Sequence, residues 1–227
     1  MRIRNLLIGD IRFQFKYGFY LVYTIFTIFY ICLLFALPVS IRGKAGTIMT
    51  YTDPAAMGLF FMGAIVLLEK SQRVLDSITV SPVRVSEYII SKVVSLGIIA
   101  TAVGVLISIA SGSSNIPAVM TGTFLGSVLF SLIGLMVAAK INSLNQFLVA
   151  TIPFELICFL PPLIYLFGYR KAWMLLHPGC IIIRMLNGER TSFLGLLLLL
   201  CIWIALIYWI TYKIVKAMFQ RVGGVKL

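Results

Sequence analysis

Long apolar segments alternate with short polar ones along almost the whole chain. Each apolar segment approaches the ~20 residues that an α-helix needs to cross the ~30 Å hydrocarbon core of a bilayer. The pattern therefore predicts six membrane-spanning helices. A five-span arrangement is the alternative, because the second segment begins with a polar run at 50–54. By hydropathy, the segments cover roughly residues 18–37, 48–68, 93–111, 118–139, 147–168 and 193–212.

The composition places the chain in the same class. Hydrophobic residues make up 61% of its 227 residues, which is well above the fraction in soluble domains. Six spans use most of this length, so we expect a single all-α transmembrane domain over 1–227. The first apolar segment lies too far inside the chain, and is too long, to be a cleaved signal peptide.

The net charge of +12 would suit a nucleic-acid-binding protein, but its distribution does not. The Lys and Arg residues are scattered around the ends of the apolar segments. With six spans and the N-terminus in the cytoplasm, 13 of the 19 Lys and Arg residues lie on the inner side and six on the outer side. This excess agrees with the positive-inside rule. The sequence thus predicts a multi-pass cell-membrane protein with both termini in the cytoplasm and no nucleic-acid partner.

Residues 1–16 precede the first span and mix basic with apolar side chains. Their early apolar spacing is helical, whereas residues 11–15 alternate as in a strand. One interpretation is an interfacial helix, with its apolar side in the lipid boundary and its Arg and Lys side chains towards headgroups. The other is a positively charged anchor that only orients the first span.

Two connections and one glycine pattern predict how the spans meet. Residues 38–47 contain proline and glycine and are expected to form a short external loop. Residues 111–117 predict a tight turn, so spans three and four should be antiparallel neighbours. Gly122 and Gly126 have the spacing that lets helix backbones approach closely. We expect them to pack inside this hairpin, with a dimer contact as the alternative.

The fifth span contains three prolines and an acid. The tandem pair Pro161-Pro162 removes two adjacent N–H donors and should kink or split the helix near its outer end. Glu155 is the only acid well inside a predicted span, so it either lines a pathway or pairs with a hydroxyl or amide on a neighbouring helix. The partly polar segment 170–192 predicts one or two short helices that lie at the outer interface or dip back into it.

Residue types and motifs argue against catalysis by the chain itself. No GxxxxGK[ST] phosphate loop, HExxH motif or GxSxG motif occurs. The one histidine, His177, stands beside Pro-Gly and is expected to be a turn residue. The seven acids are dispersed, and the four cysteines lack metal-binding spacing. We therefore expect no enzyme activity, no metal site and no cofactor in this chain.

A charged island between the second and third spans is the most informative segment. Residues 69–82 mix both charge signs, and Val74, Leu75 and Ile78 can share one face of a short helix. Ser81-Pro82 should end that helix, because proline cannot continue the hydrogen-bond ladder and disfavours the α conformation in the preceding residue. The predicted topology places this compact helix in the cytoplasm, where it could dock a partner.

This layout resembles that of ABC-2 type transporter permeases. The local match runs from Glu69-Lys70 through Ser81-Pro82-Val83 to Glu87-Tyr88 and Lys92. It is similar to that family's glutamate, short helix, Ser/Thr-Pro turn, and tyrosine and lysine leading into span three. The likeness covers the whole chain in layout but specific residues only across 69–92. In size and in the fifth-span region the chain is similar to fluoroquinolone- and daunorubicin-export permeases.

The resemblance implies one half of an ABC exporter of a hydrophobic or amphipathic compound, such as a drug, lipid or peptide. Two permease chains, identical or paralogous, would sit in membrane lipid, and each would bind an ATPase subunit that carries ATP and Mg²⁺. Spans two and five would line the pathway, with Glu155, Phe60 and Phe61 as its candidates. The coupling region 69–88 would contact the ATPase through Glu69, Lys70, Arg73, Val74, Leu75, Asp76, Ile78, Ser81 and Pro82.

Other interpretations of the sequence stay open. The island can be read as an ordinary solvated loop. The whole chain can be read as a scaffold or immunity-type membrane protein, or as a membrane enzyme that modifies lipid. A neighbouring reading frame that encodes an ATPase with a phosphate-loop motif would favour the transporter.

Overall fold

The computed structural model describes residues 2–113, 115–188 and 193–222, and these residues form an all-helical bundle. A π-helical turn at Tyr51–Ala55 and a 3₁₀ turn at Ala172–Leu176 interrupt the α-helices. The α-helices are α1 (Arg2–Lys16), α2 (Phe19–Ala36), α3 (Val39–Thr50), α4 (Met57–Ser71), α5 (Val74–Val80), α6 (Val85–Ala110), α7 (Ile116–Ala138), α8 (Leu144–Leu166), α9 (Pro178–Leu186) and α10 (Phe193–Val222).

Six helical stretches in the described residues are long and apolar enough to cross a membrane, as predicted. The prediction of a loop at 38–47 is wrong, because α3 occupies most of it and only Leu37 and Pro38 separate α2 from α3. Helical glycine is unfavourable by about 1 kcal/mol relative to alanine, but here it permits a close contact. A Cβ on Gly46 would overlap the side chain of Ser111.

The second span is a continuous run of 33 residues, Val39–Ser71, with the π-turn in its middle. Pro54 lies inside this turn and has no N–H group to continue the α-helical ladder. A single wider turn absorbs this break without ending the helix, as π-bulges do in other α-helices. At 1.5 Å per residue the run extends about 50 Å, which exceeds the ~30 Å hydrocarbon core.

Helix α7 is the centre of the bundle and packs against α4, α6, α9 and α10. Its antiparallel pairing with α6 confirms the predicted hairpin. Gly122 and Gly126 do pack inside the chain, but their close neighbours are on α9 and the π-turn and not on α6. A Cβ on Gly126 would lie 3.1 Å from Cβ of Ala55, and one on Gly122 would lie 3.1 Å from Cβ of Met185.

The short helix α9 lies inside the bundle. All its residues except the half-exposed Arg184 are buried, and it packs against α7, α8 and α10. Of the two predicted arrangements for 170–192, the one in which a short helix dips back agrees with this burial; residues 189–192 lie outside the described residues. Helix α8 runs unbroken through Pro161 and Pro162, so the expected split does not occur.

Both ends of the described chain lie at one end of the bundle. Helix α1 pairs with the first turns of α6, and the ring of Phe219 near the end of α10 stacks edge-on against Tyr88, also on α6, at 5.1 Å. We call this end, which also carries α5, the terminal end. The opposite end, with the turn between α6 and α7, is the distal end.

Candidate functional site

A buried charged cluster joins three helices at the terminal end. The ammonium group of Lys92, on α6, donates to Asp10 Oδ1 of α1 at 2.9 Å and to Glu69 Oε1 of α4 at 2.5 Å. The side chain of Lys92 is only 2% exposed. One cation thus binds two carboxylates, those of residues 10 and 69, which are 59 positions apart in the sequence.

Neutral partners complete this cluster. The hydroxyl of Tyr88 donates to Glu69 Oε2 at 2.8 Å, and that of Ser91 donates to Asp10 Oδ2 at 2.6 Å. Buried ion pairs are retained only where their desolvation is offset by good geometry and further hydrogen bonds. All four carboxylate oxygens have a partner here, so the cluster fixes α1, α4 and α6 relative to one another.

Lys70, the next residue after Glu69, anchors a fourth helix. Its ammonium group donates to the backbone carbonyls of Ala138, Ala139 and Ile141 at 2.8, 3.2 and 2.7 Å. The last carbonyls of an α-helix lack intrahelical partners and carry the negative end of the helix dipole. Lys70 therefore caps the C-terminal end of α7.

Helix α5 projects from this anchored base. It begins after Arg73, which has a left-handed backbone (φ 55°, ψ 24°) that reverses the chain at the end of α4. It ends at Ser81, whose extended backbone before Pro82 confirms the predicted stop. Glu87 then accepts a hydrogen bond from the N–H group of Arg84 at 2.8 Å, which closes the first turn of α6.

The apolar face of α5 points towards the chain's own interior. Leu75 is 2% exposed and belongs to the main core. Val74 and Ile78 are half-buried and line a groove of about 450 Å³ shared with Leu6 and Phe13 of α1. The predicted face exists, but the structure uses it to seat α5 on the bundle.

The candidate coupling residues differ in exposure. Glu69, Lys70 and Leu75 support the base of α5, where burial and internal hydrogen bonds occupy them. Val74, Ile78 and Ser81 are half-buried. Of the candidate residues, Arg73, Asp76 and Pro82 are exposed, as are Ser77 and Val80 of α5. Contact of the candidate residues with an ATPase stays a prediction.

A protein-family model matches nearly the whole chain. Residues 1–222 match the model of the fluoroquinolones export permease protein family. The chain belongs to this family. Two Mycobacterium tuberculosis proteins, from strains CDC 1551 / Oshkosh and ATCC 25618 / H37Rv, are named fluoroquinolones export permease proteins. Each is 31% identical over 142 residues, which are 61% of this chain and 60% of the relative.

The predicted pathway residues of this family member lie apart from the charged cluster. Phe61 packs edge-on against Phe19 at 5.2 Å and against Tyr23 at 4.7 Å, so it joins α4 to α2. Phe60 is half-buried against the main core. Glu155 is half-buried on α8, beside the buried stripe that includes Thr151 and Cys158.

Two acids of this chain are not identified as notable by the sequence pattern. Asp10 is one of the dispersed acids, and only the fold brings it to Lys92. Asp53 lies at the polar start of the weakest predicted span, yet it is 2% exposed in the middle of the 33-residue run. The Asp53-Pro54 dipeptide inside an apolar segment is the sequence feature that could have indicated this buried acid. Among the described residues, no group of three His, Cys, Asp or Glu side chains could hold a metal ion.

Proposed function

We propose that this chain is the membrane-embedded subunit of an ABC-type exporter. It takes an amphipathic drug of the fluoroquinolone class across the cell membrane, both of its termini are cytoplasmic, and a separate subunit binds and hydrolyses ATP with Mg²⁺. Family membership and the printed names of the relatives support the export role. The sequence contains no phosphate loop, which supports an ATPase on another chain.

The observation that carries this proposal is the outward face of α5. A seven-residue helix is too short to be stable alone, but the Lys92 cluster and the Lys70 cap hold its base on three spans and on α1. Its exposed side then presents Arg73, Asp76 and Val80, and Val80 is 85% exposed. Helix α5 packs against α4 and α10, and Glu69 and Lys70 tie α4 to α6 and α7. Movement of α5 would therefore be passed through α4 to these spans, as coupling to an ATPase requires.

A second permease chain fits the exposed apolar surface of the bundle. Only 22% of the α8 span and 11% of the α10 span are buried inside the chain. Lipid can cover this surface, and so can another copy or a paralogue. Half-buried Glu155, together with Phe60 of the second span, would then lie near the pathway between two chains. Phe61 would support that wall through α2.

Two valines allow a matched test. Val80→Asp places a charge on the exposed end of α5, whereas Val39→Asp places the same charge at the distal end, where Val39 is 78% exposed. Neither change disturbs the core, so both chains should fold. We expect Val80→Asp to abolish co-purification with a phosphate-loop ATPase taken from a neighbouring reading frame, and to abolish fluoroquinolone-stimulated ATP hydrolysis in nanodiscs. Val39→Asp should behave as wild type.

Leu75→Asp is unsuitable for this purpose, because Leu75 belongs to the core and the change would destabilise the chain itself. Wild-type binding and stimulation in Val80→Asp would exclude α5 as the docking element. Failure of the wild-type chain to bind any such ATPase would exclude the exporter.

A further inference from the structure

Asp53 is a carboxylate inside the membrane-spanning part of the fold. It lies in the π-turn of the second span and is 2% exposed. Its Oδ2 atom is buried and accepts no hydrogen bond. An ionised carboxylate in such a place is strongly disfavoured unless it is paired. The site therefore requires a small positive species.

Neither of the ion pairs recorded among the described residues includes Asp53. Both involve Lys92, which lies at the terminal end of α6. The elements packed on the π-turn are α3, α4, α6, α7 and α9, and α7 carries no titratable side chain. The titratable side chains of the other four helices are Arg42 and Lys44 on α3, Glu69 and Lys70 on α4, Glu87, Tyr88 and Lys92 on α6, and Cys180 and Arg184 on α9.

Phenols are the nearby polar groups. The phenols of Tyr23 and Tyr30, on α2, lie within electrostatic range of Asp53. The hydroxyl of Tyr23 is buried and, like Asp53 Oδ2, has no hydrogen-bond partner. A buried carboxyl oxygen without a donor is most simply accommodated if the carboxyl group carries a proton.

A polar cavity at the distal end extends as far as Thr50, which is three residues before Asp53. It has a volume of about 190 Å³ and lies between α3, the α6–α7 turn and the end of α9. Hydroxyl and amide side chains dominate its wall. The Oγ1 atom of Thr123, also without a partner, lies just beyond Thr50. Water in this cavity would come within one helical turn of the carboxyl group.

We propose that Asp53 is a proton-binding site that exchanges its proton with solution through the distal polar cavity. In the present conformation the carboxyl group holds the proton and is neutral. On release, the proton passes to water in the cavity and leaves a carboxylate that the Tyr23 hydroxyl can approach. The π-turn, which already departs from α geometry beside Pro54, is where the second span can adjust to this change.

Infrared spectroscopy of the purified chain in phosphatidylcholine nanodiscs tests the site without ATPase or drug. At neutral pH we expect a protonated-carboxyl band that shifts in D₂O, is lost in Asp53→Asn and persists in the control Glu155→Gln. Tyr23→Phe, which keeps the acid, should move the band without abolishing it. This variant keeps the test decisive if Asp53→Asn does not fold.

A band that survives in Asp53→Asn would overturn the proposal. A second contrary result would be a wild-type chain that shows no band and is stabilised thermally by Na⁺, with the stabilisation lost in Asp53→Asn. The second result would make Asp53 a monovalent-cation site. Neither result bears on export, since no transport is measured.

The route from the distal end has a separate test. In a chain with Cys32→Ser and Cys201→Ser, which removes the two exposed thiols, Thr50→Cys should react with a small water-soluble thiol reagent. Ser131→Cys is the matched control, because Ser131 is fully buried and does not line the cavity. Equal reaction rates at the two positions would exclude the cavity as the path.

Discussion

The hydroxyl of Tyr51 donates a hydrogen bond of 2.6 Å to the backbone carbonyl of Cys158. In an unbroken α-helix that carbonyl would accept from the N–H group of residue 162, but residue 162 is proline. The phenol of the second span thus replaces the donor that Pro162 lacks. This is why the tandem prolines leave α8 intact and at the same time tie it to the π-turn.

Tyr51→Phe removes that donor and leaves the ring in place. The Cys158 carbonyl would then be buried without a partner, which costs about 1–3 kcal/mol. We expect a lower midpoint of thermal unfolding in detergent for Tyr51→Phe. Tyr169→Phe, at an exposed tyrosine, should leave the midpoint unchanged. Equal midpoints for the two variants would show that the bond contributes nothing.

His177 satisfies the other freed carbonyl. Pro161 leaves the Ile157 carbonyl without its helical donor, and the imidazole forms a hydrogen bond with this backbone group. The Nδ1 atom of His177 accepts from the N–H group of Gly179 at 3.2 Å and so caps the start of α9. The neutral imidazole can make both bonds, whereas the protonated ring cannot accept at Nδ1.

Burial lowers the pKa of His177, although its bond to Ile157 acts in the opposite direction. The unfolded chain, with a pKa near ~6.5, therefore takes up a proton at a higher pH than the folded chain. The stability that His177 contributes is present above the pKa of the unfolded chain. It is lost as pH falls through the lower pKa of the folded chain. We expect the unfolding midpoint to drop on acidification, and His177→Asn, which retains a capping oxygen, to reduce this drop. An unchanged drop in His177→Asn would assign it to other groups.

Local patterns predicted the elements of this fold well. The six spans, the α6–α7 turn and the end of α5 at Ser81 follow from hydropathy and from proline and glycine chemistry, which act over a few residues. The same local patterns wrongly predict a loop at residues 38–47. Their glycines reduce helix propensity locally, and only the close contact of Gly46 with Ser111 shows why a helix forms.

The site was less predictable because its contacts are not local. The pairing of Lys92 with Asp10 joins residues 82 positions apart, which no spacing rule anticipates. The apolar face of α5 was recognised, but hydropathy cannot tell whether such a face meets a partner or the chain's own α1. Asp53 was discounted because its charge weakened the hydropathy of the span that buries it.

In the charged cluster, removal of the cation alone should destabilise the fold more than removal of all three charges. Lys92→Met leaves Asp10 and Glu69 facing each other without a cation. Removal of one member of a buried ion pair typically costs about 3–5 kcal/mol. We expect little folded Lys92→Met chain in detergent extracts, measured by size-exclusion chromatography. Lys140→Met, at an exposed lysine, is the control and should give normal yields.

Neutralising the whole cluster should restore folding. The triple variant Asp10→Asn, Glu69→Gln and Lys92→Met removes every charge of the cluster, and its amides can still accept from Ser91 and Tyr88. If the triple variant yielded no more folded chain than Lys92→Met alone, packing of the lysine stem and not charge would be the cause.

The contact of Gly63 with Phe147 gives the last prediction, which concerns how the second and fifth spans meet. A Cβ on Gly63 would overlap the ring of Phe147, and both residues are buried. Gly63→Ala would gain helix propensity of about 1 kcal/mol, but overpacking of this kind typically costs about 1–3 kcal/mol. Phe147→Leu alone removes ring atoms and leaves a void. In the double variant the alanine methyl group occupies part of that void, so the two losses should not add. We expect a double-mutant cycle on unfolding midpoints to show positive coupling.

Gly43→Ala, where a Cβ would meet nothing within 4 Å, is the control and should raise the midpoint. Additive losses at Gly63 and Phe147 would mean that α4 and α8 do not pack through this contact.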